Sequence, residues 1–323
     1  MPASAQQKSR LWQLTSVRAV ALARLELYDL QVLNVVRVAL ASFVFAAAAC
    51  SSSSDDNRPT EVIPTVTHAV VELQRSKSTN ATLTDQANVL VSVLRVPATL
   101  DSRNVVRLVG LSSNPPDPGQ CERIDYTRAA TEATVPVQHV EMLDVGDVTL
   151  MAGGHLSPLV RQAFPTVTDF IAGVVYTTRD LSSGPLPPSS SYSVIARGAA
   201  KIPPFRIDVA APDEITNVKL EGVDLAEVTR LVRGNGVDLT WNPGSAGDRF
   251  IVEIKSPDRP GDVSCAFNDS AGSGRLPADV LFSSGIVRLE LHRLRTTTAN
   301  TKALDRSQIE FDYSLVHLLE IVN

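Results

Sequence analysis

Short apolar runs, many of them alternating with polar residues, recur between residues 63 and 211. A period of two places successive side chains on opposite faces of a strand, so each run predicts a β-strand bounded by turns rich in Pro, Gly and Ser. The runs are THAVVELQ, NVLVSVLRV, NVVRLVGL, VPVQHVEML, AGVVYTT, SYSVIARG and FRIDV. Helical spacing is weak, and only SPLVRQAF (157–164) favours one or two helical turns. We therefore predict a β-rich domain over 63–211.

The alternation is sharper between residues 212 and 323, beyond a predicted hinge at Pro212. The strings GVDLTW, RFIVEIK, GIVRLELHR and QIEFDYSL each place their apolar residues on one face and most charged residues on the other. Glu253, Glu290 and His292 fall on the polar face, outside the expected core. Four alternating strands joined by Gly and Pro turns predict a two-sheet sandwich.

One segment of this region resembles a known domain family. LTW (239–241), followed by Pro243 and RFIVEIK, is similar to the second and third strands of fibronectin type III or related immunoglobulin-like domains. The resemblance covers roughly residues 213–323 and implies that Trp241 is a core residue on which both sheets pack. We expect an all-β protein with two β-sandwich-like domains in tandem, after a signal peptide and a flexible tether.

The start of the chain has a different pattern. Val38–Ala49 is an uncharged run preceded by an arginine. As a helix it would cover about 18 Å, well short of the ~30 Å hydrocarbon core of a bilayer, whereas a basic flank and a short apolar run are typical of a signal peptide. We predict a signal peptide over 1–49. Residues 1–31 are interpreted either as lying upstream of the true start, near Val32 or Val35, or as an amphipathic helix.

The end of that run resembles the lipobox of bacterial lipoprotein signals, in which small residues precede an invariant cysteine. Ala48 and Ala49 precede Cys50 here, although Ala47 stands where the family prefers Leu. The resemblance implies that Cys50 becomes the mature N-terminus and carries several acyl chains, which anchor durably because one chain alone binds only marginally. Residues 50–62 would form the lipidated cysteine and a solvated tether. The alternatives are a buried free cysteine or an ordinary signal peptide cut nearby.

The charge balance removes one class of partner. The chain has 30 basic and 35 acidic residues, of which five and two lie in residues 1–49, so the rest has 25 and 33 and a net charge of −8. A surface of this sign repels phosphate backbones and anionic lipid. We expect no nucleic-acid partner.

Cys121 and Cys265 are the other two of three cysteines. In an exported protein two thiols suggest a disulfide, which would close a loop of about 145 residues and stabilise the fold by a few kcal/mol in the chain-entropy model. Against pairing, Cys265 alternates like a strand residue and Cys121 follows a proline-rich loop in the other predicted domain. The sequence leaves a disulfide and two separate thiols as open alternatives.

Three residues are weak candidates for metal ligands. His139 and Glu141 would share one face of a strand, and His155 follows nearby. Outward polar residues on a half-buried strand give the same spacing without a metal, so we predict neither a metal site nor a cofactor. The sequence has no Gly-x-Ser-x-Gly, His-Glu-x-x-His or phosphate-loop motif, and no catalytic residue is identified.

Two further polar segments have alternative interpretations. A basic cluster is either a solvated strand face or a surface that recognises an acidic partner. Its members are Arg288, Arg293, Arg295, Lys302 and Arg306. The segment NDSAGSG (268–274) lacks the alternating acidic ligands and closing Glu of an EF-hand, and it predicts a hairpin turn.

Together these patterns predict a lipid-anchored cell-envelope protein that is a binding or structural module without catalytic activity. The chain after Cys50 also resembles a group of uncharacterised bacterial surface lipoproteins, which implies no specific activity. The expected partners are the membrane, through the N-terminal lipid, and an envelope protein or polysaccharide. Ser51 replaces the Asp that retains some lipoproteins in the inner membrane, so the outer membrane is favoured. The alternative is an envelope hydrolase with its site in the 63–211 domain or between the domains.

Overall fold

The described part of the chain is almost entirely β. The computed structural model describes residues 63–79, 85–108, 115–124, 140–164, 173–178, 191–234, 236–256, 262–281 and 284–322. These residues belong to one compact unit, Glu61–Asn323. The predicted signal peptide, the tether and Cys50 lie outside them. Within these ranges, no helix has the length and apolarity needed to cross a bilayer.

Nineteen strands, one α-helix and three 3-10 turns make up the regular structure of the described residues. The first ten strands are β1 (Thr65–Ser78), β2 (Gln86–Pro97), β3 (Cys121–Ile124), β4 (Glu141–Met142), β5 (Val148–Ala152), β6 (His155–Pro158), β7 (Val160–Phe164), β8 (Gly173–Thr177), β9 (Ser191–Ala196) and β10 (Phe205–Ala210). The others are β11 (Lys219–Leu220), β12 (Val223–Asp224), β13 (Arg230–Val232), β14 (Val237–Thr240), β15 (Arg249–Lys255), β16 (Asp262–Asn268), β17 (Ser273–Leu276), β18 (Gly285–Thr298) and β19 (Arg306–Val322). The helix α1 is Ser102–Leu108, and the 3-10 turns are Leu225–Glu227, Asp269–Ala271 and Ala278–Val280.

The strands form one large sheet and two four-stranded sheets. The large sheet has the order β3-β16-β15-β18-β19-β1-β2-β8-β7, with β13 beside β19 and β4 beside β2. The small sheets have the orders β10-β9-β5-β6 and β12-β11-β14-β17. Among these pairs, β1 and β13 run parallel to β19 and the rest are antiparallel. The predicted all-β sandwich class is confirmed.

Both small sheets pack on one face of the large sheet, which we call the inner face, and each encloses an apolar core. The first core joins β5, β9 and β10 to the β1–β2–β19 region, and it includes Tyr192 and Phe311. The second joins β11, β14 and β17 to the β15–β18 region, and it includes Phe250 and Leu289. Trp241 is buried there, stacked on Phe250 with 4.0 Å between ring centroids. The opposite face of the large sheet is called the outer face.

Strand β19 contributes to both cores. Ile309 packs into the first core, while Leu319 and Ile321 pack into the second. Because β1 pairs along β19, strands from the predicted domains 63–211 and 212–323 lie in the same sheet. The predicted boundary therefore separates the two small sheets, and the large sheet continues across it.

Two predicted segments have a different secondary structure. The string NVVRLVGL was predicted as a strand, but its first five residues lie in α1. Val105 and Val106 of the helix pack beside Val70 on the outer face, so an apolar contact overrides the β preference of valine. The segment 157–164, predicted as helical turns, instead ends β6 and forms β7, because its backbone pairs with β5 and β8.

An ion pair is buried between the two cores on the inner face. Arg293 and Asp269 are 1% and 0% exposed. Nη1 of Arg293 donates to the carbonyl oxygens of Asp213 and Glu214 at 3.0 and 3.1 Å, and Nη2 donates to that of Asn242 at 2.6 Å. Nε and Nη2 also donate to the Asp269 carboxylate, so all five guanidinium N–H groups are used. The predicted hinge segment is thereby held to β18.

A second pair extends this polar seam. Nε and Nη2 of Arg295 each donate to the Asp248 carboxylate at 2.7 Å, and Nη1 donates to the carbonyl oxygen of Ala211 at 2.8 Å. We call these two ion pairs, with their carbonyl acceptors, the inner seam. The basic cluster predicted from the sequence is therefore not one surface, since Arg293 and Arg295 lie in the seam while Arg288 lies on the outer face.

Candidate functional site: a charged cleft on the outer face

A cleft of about 320 Å³ opens on the outer face of the large sheet. Strands β1, β2, β15, β18 and β19 form it with side chains that mostly alternate with those of the cores. The lining is largely polar and consists of Gln74, Arg75, Ser76, Gln86, Glu253, Lys255, Arg288, Glu290, His292, Asp312 and Ser314, with Ile251 and Leu294 as apolar members. The same alternation that builds the cores therefore concentrates charge on the other face.

His292 of β18 faces three carboxylates in the cleft. Its Nδ1 is 2.8 Å from Oδ1 of Asp312 on β19. Its Nε2 is 3.4 Å from Oε2 of Glu290 and 3.9 Å from Oε2 of Glu253. Nε2 is buried and makes no hydrogen bond. Nδ1 is thus held by its hydrogen bond to Asp312, and Nε2 faces the carboxylates of Glu290 and Glu253 at ion-pair distance.

Glu253 and Glu290 are direct partners across β15 and β18. Like charges in that position repel each other. Nζ of Lys255 lies 2.8 Å from Oε2 of Glu253 and 3.0 Å from Oε2 of Glu290, and Nε of Arg288 lies 2.7 Å from Oε1 of Glu290. The two Oε2 atoms therefore lie close to both Nζ of Lys255 and Nε2 of His292.

These contacts set the protonation of the cleft. Burial alone would lower the pKa of His292, but the neighbouring carboxylates, led by Asp312, raise it to about 10. Burial alone would raise the pKa of Glu290, but His292 and Lys255 lower it to about 2. At neutral pH the cleft therefore holds the imidazolium of His292 beside the ionised carboxylate of Glu290.

A second acidic pair lies beside the cleft. Glu72 of β1 and Glu310 of β19 are register partners on the outer face. Burial raises the pKa of each carboxyl to about 7, and the charge of Glu72 adds to the effect on Glu310. Nε2 of Gln74 donates to Oε1 of Glu72 at 2.6 Å. Both carboxyls are therefore partly protonated near neutral pH.

The cleft can hold a cation or a polar ligand. Within the described ranges, the metal-ligating side chains that converge are Glu253, Glu290 and His292, whose donor atoms all lie within 4.8 Å of one another. Amide and hydroxyl groups of Gln74, Gln86, Ser76 and Ser314 line the rest. Since Nε2 of His292 has no hydroxyl partner, a Ser-His-Asp arrangement is not assembled on this histidine.

The metal candidates predicted from the sequence lie elsewhere. His139 is outside the described residues. Glu141 in β4 pairs with Arg95 at 2.9 Å and also with Lys201. His155 is exposed at the start of β6. In the part of the chain that is described, neither Glu141 nor His155 belongs to a group of converging ligands.

Cys121 and Cys265 are joined by a disulfide. They lie directly opposite each other on β3 and β16, with Cα atoms 4.0 Å apart. The bond spans a sequence separation of 144 residues and links the two predicted domains at the edge of the large sheet. Of the two alternatives left open by the sequence, the structure contains the disulfide.

The alternation in the sequence placed Glu253, Glu290 and His292 on the polar face but did not bring them together. Their proximity depends on the register of β15 against β18, which pairs the two glutamates. It also depends on the register of β18 against β19, which brings Asp312 to the histidine. A search for charged residues on the polar faces of adjacent predicted strands would have found the group.

Comparison with known proteins adds no assignment. No protein-family model matches the chain, and no curated protein matches it. The function is therefore inferred from the residues and their geometry.

Proposed function

We propose that the protein is an exported, lipid-anchored cell-envelope protein that acts as a binding or structural module. The observation that supports this most is the disulfide between Cys121 and Cys265. Disulfides form and persist in oxidising compartments and are rare in the cytosol. The third cysteine, Cys50, follows a signal-peptide pattern and resembles a lipidation site. Lipid on Cys50 would hold the protein at a membrane, with the outer membrane favoured.

The outer-face cleft is the proposed binding surface. It presents charges of both signs together with amide and hydroxyl groups, which suits a polysaccharide or a polar segment of an envelope protein. The net charge of −8 after residue 49 disfavours nucleic acid. A binding role also agrees with the raised pKa of His292, because an imidazolium cannot accept a proton at neutral pH.

Substitution of Cys50 tests the anchor. We expect Cys50→Ala to move the protein from the membrane fraction to the soluble fraction, and mass spectrometry to find acyl chains on Cys50 of the natural protein. Ser51→Ala is the matched control and should stay in the membrane fraction. Cross-linking and pull-down from intact envelopes would then identify partners that depend on anchoring. An unmodified Cys50 in membrane-extracted protein would contradict the proposal.

An envelope hydrolase is the second candidate, and one observation favours it. The hydrogen bond between Asp312 and His292 in a polar cleft resembles the orienting pair of a general base. Hydrolysis of an envelope polymer that is lost in His292→Gln, and kept in the exposed control His155→Gln, would support this candidate. Activity that does not depend on His292 would exclude the cleft as its site.

A further inference from the structure

Three side chains in the cleft are spaced as one metal ion would hold them. Two donors bonded at about 2.0–2.2 Å to a tetrahedral ion lie roughly 3.3–3.5 Å apart. Nε2 of His292 is 3.4 Å from Oε2 of Glu290 and 3.9 Å from Oε2 of Glu253. All three donor atoms lie within 4.8 Å of one another, so small side-chain movements would bring them onto one ion.

The unused nitrogen of His292 is an independent observation. Nε2 is buried without a hydrogen-bond partner, and the side chain as a whole is 13% exposed. The polar atoms that it faces are Oε2 of Glu290 and Oε2 of Glu253, which lie at ion-pair distance and not at hydrogen-bond distance. Because this atom faces the carboxylates of Glu253 and Glu290, a divalent cation that displaces its proton would contact all three groups.

Asp312 orients the imidazole for such a role. Metal-binding histidines usually give their other ring N–H to a carboxylate or carbonyl, which fixes the tautomer and the ring plane. Nδ1 of His292 is 2.8 Å from Oδ1 of Asp312. Nε2 is therefore the nitrogen left for a metal.

We propose that the cleft binds a divalent first-row transition ion through Nε2 of His292 and one carboxylate oxygen each of Glu253 and Glu290, and that the Nε2 proton of the imidazolium is released to solvent as the metal–nitrogen bond forms. One imidazole and two carboxylates suit Zn²⁺ better than Mg²⁺ or Ca²⁺, which prefer oxygen ligands alone. Three protein ligands leave a coordination position that opens into the cleft, where water or a bound polar group can complete the shell. This inference concerns the cleft alone and does not depend on lipidation of Cys50.

Lys255 competes for the same position. Its Nζ lies within 3.0 Å of the Oε2 atoms of Glu253 and Glu290, where the ion would bind. Its side chain is 32% exposed and is flexible, so it can turn outward when the ion enters. The metal must displace this ammonium group, and removal of the lysine is expected to tighten binding.

Calorimetric titration of the full-length chain with ZnCl₂ tests the proposal. We expect one Zn²⁺ per chain, at least tenfold tighter binding in Lys255→Met, and at least tenfold weaker binding in His292→Gln. His155→Gln is the matched control, because this exposed histidine lies outside the cleft, and it should bind as the natural protein does. Co²⁺ should give the visible absorption of a low-coordinate site in the natural protein and in Lys255→Met.

Two outcomes would overturn the inference. Binding that is equal in the natural protein and in His292→Gln would place the ion elsewhere. The absence of binding in both the natural protein and Lys255→Met would show that the cleft takes no such ion. If circular dichroism shows that His292→Gln does not fold, Glu253→Gln is used in its place. It removes one metal ligand with little change in side-chain shape, and it should weaken Zn²⁺ binding by at least tenfold. Repeating the titration in Cys50→Ala separates this result from the anchoring proposal.

Discussion

The inner seam and the outer cleft contain similar charged side chains but satisfy them differently. In the seam, every N–H group of Arg293 has an acceptor, and Asp269 also accepts a hydrogen bond from Nε1 of Trp241 at 2.7 Å. In the cleft, His292 keeps a buried nitrogen without a hydrogen bond, and two glutamates face each other. Charge in the closed seam therefore holds the two cores together, whereas charge in the open cleft is available to a ligand.

Removal of the seam carboxylate should have the largest effect. Asp269→Ala leaves the guanidinium of Arg293 buried without its counter-charge, and we expect a loss of about 3–5 kcal/mol in the free energy of unfolding. Urea denaturation followed by circular dichroism measures it. The control is Asp238→Ala, because the pair of Asp238 with Arg275 is exposed and should cost less than about 1 kcal/mol. Equal losses in the two variants would contradict a structural role for the seam.

A methyl group at Gly244 should disturb the same pair less severely. A Cβ atom there would lie 2.1 Å from Oδ2 of Asp269 and 2.9 Å from Nε of Arg293, so the seam must shift to admit it. We expect Gly244→Ala to lower the free energy of unfolding by about 1–3 kcal/mol. A Cβ atom at Gly234 would meet nothing within 4 Å, so Gly234→Ala is the control and should change stability little. No loss in Gly244→Ala would mean that the seam is loosely packed.

Neutralising a carboxyl on the outer face should raise the free energy of unfolding, and this change should be the smallest of the three. The folded-state pKa of Glu310 is raised from 4.5 to about 7, so its contribution to stability is present below pH 4.5 and is lost as the pH rises to about 7. We expect Glu310→Gln to flatten this decline and to stabilise the protein at pH 8 by about 1–2 kcal/mol.

Urea denaturation at pH 5 and pH 8 measures this effect. Glu320→Gln is the control, since Glu320 is exposed and paired with Arg230, and its substitution should change the free energy of unfolding by less than about 1 kcal/mol. If Glu310→Gln is less stable than the natural protein at pH 8, the acidic pair is not repulsive and the contrast between the two regions fails.

Alternation along the chain was sufficient to predict four of the strands between residues 212 and 323. Strands β14, β15, β18 and β19 overlap the four predicted strings, and Val237, Leu239 and Phe250 are buried as expected. The pattern failed in α1, where valines suggested a strand. Propensity is a weak preference, and the contact of Val105 and Val106 with the outer face outweighs it.

Neither the seam nor the cleft could be predicted in full, because alternation indicates the face on which a side chain lies and says nothing of its partner. Arg293 lies in phase with Leu289 and Leu291, which are core residues, so a charge at a core-facing position was a signal for a buried pair. Its partner Asp269 lies in NDSAGSG, which was wrongly predicted as a hairpin turn, because it connects β16 of the large sheet to β17 of a small sheet. The two are 24 residues apart, and only the fold brings them together.

Strand β19 also determines when the protein can fold. Ile309, Phe311 and Tyr313 belong to the core that is otherwise built from residues 69–209 and 304, and β1 has no parallel partner until β19 has been synthesised. A nascent chain that has emerged only as far as residue 305 exposes an open sheet edge and an incomplete core, which is an aggregation hazard. We therefore expect truncation before residue 306 to leave the remaining chain insoluble, and folding to be completed only once β19 is available to pair with β1.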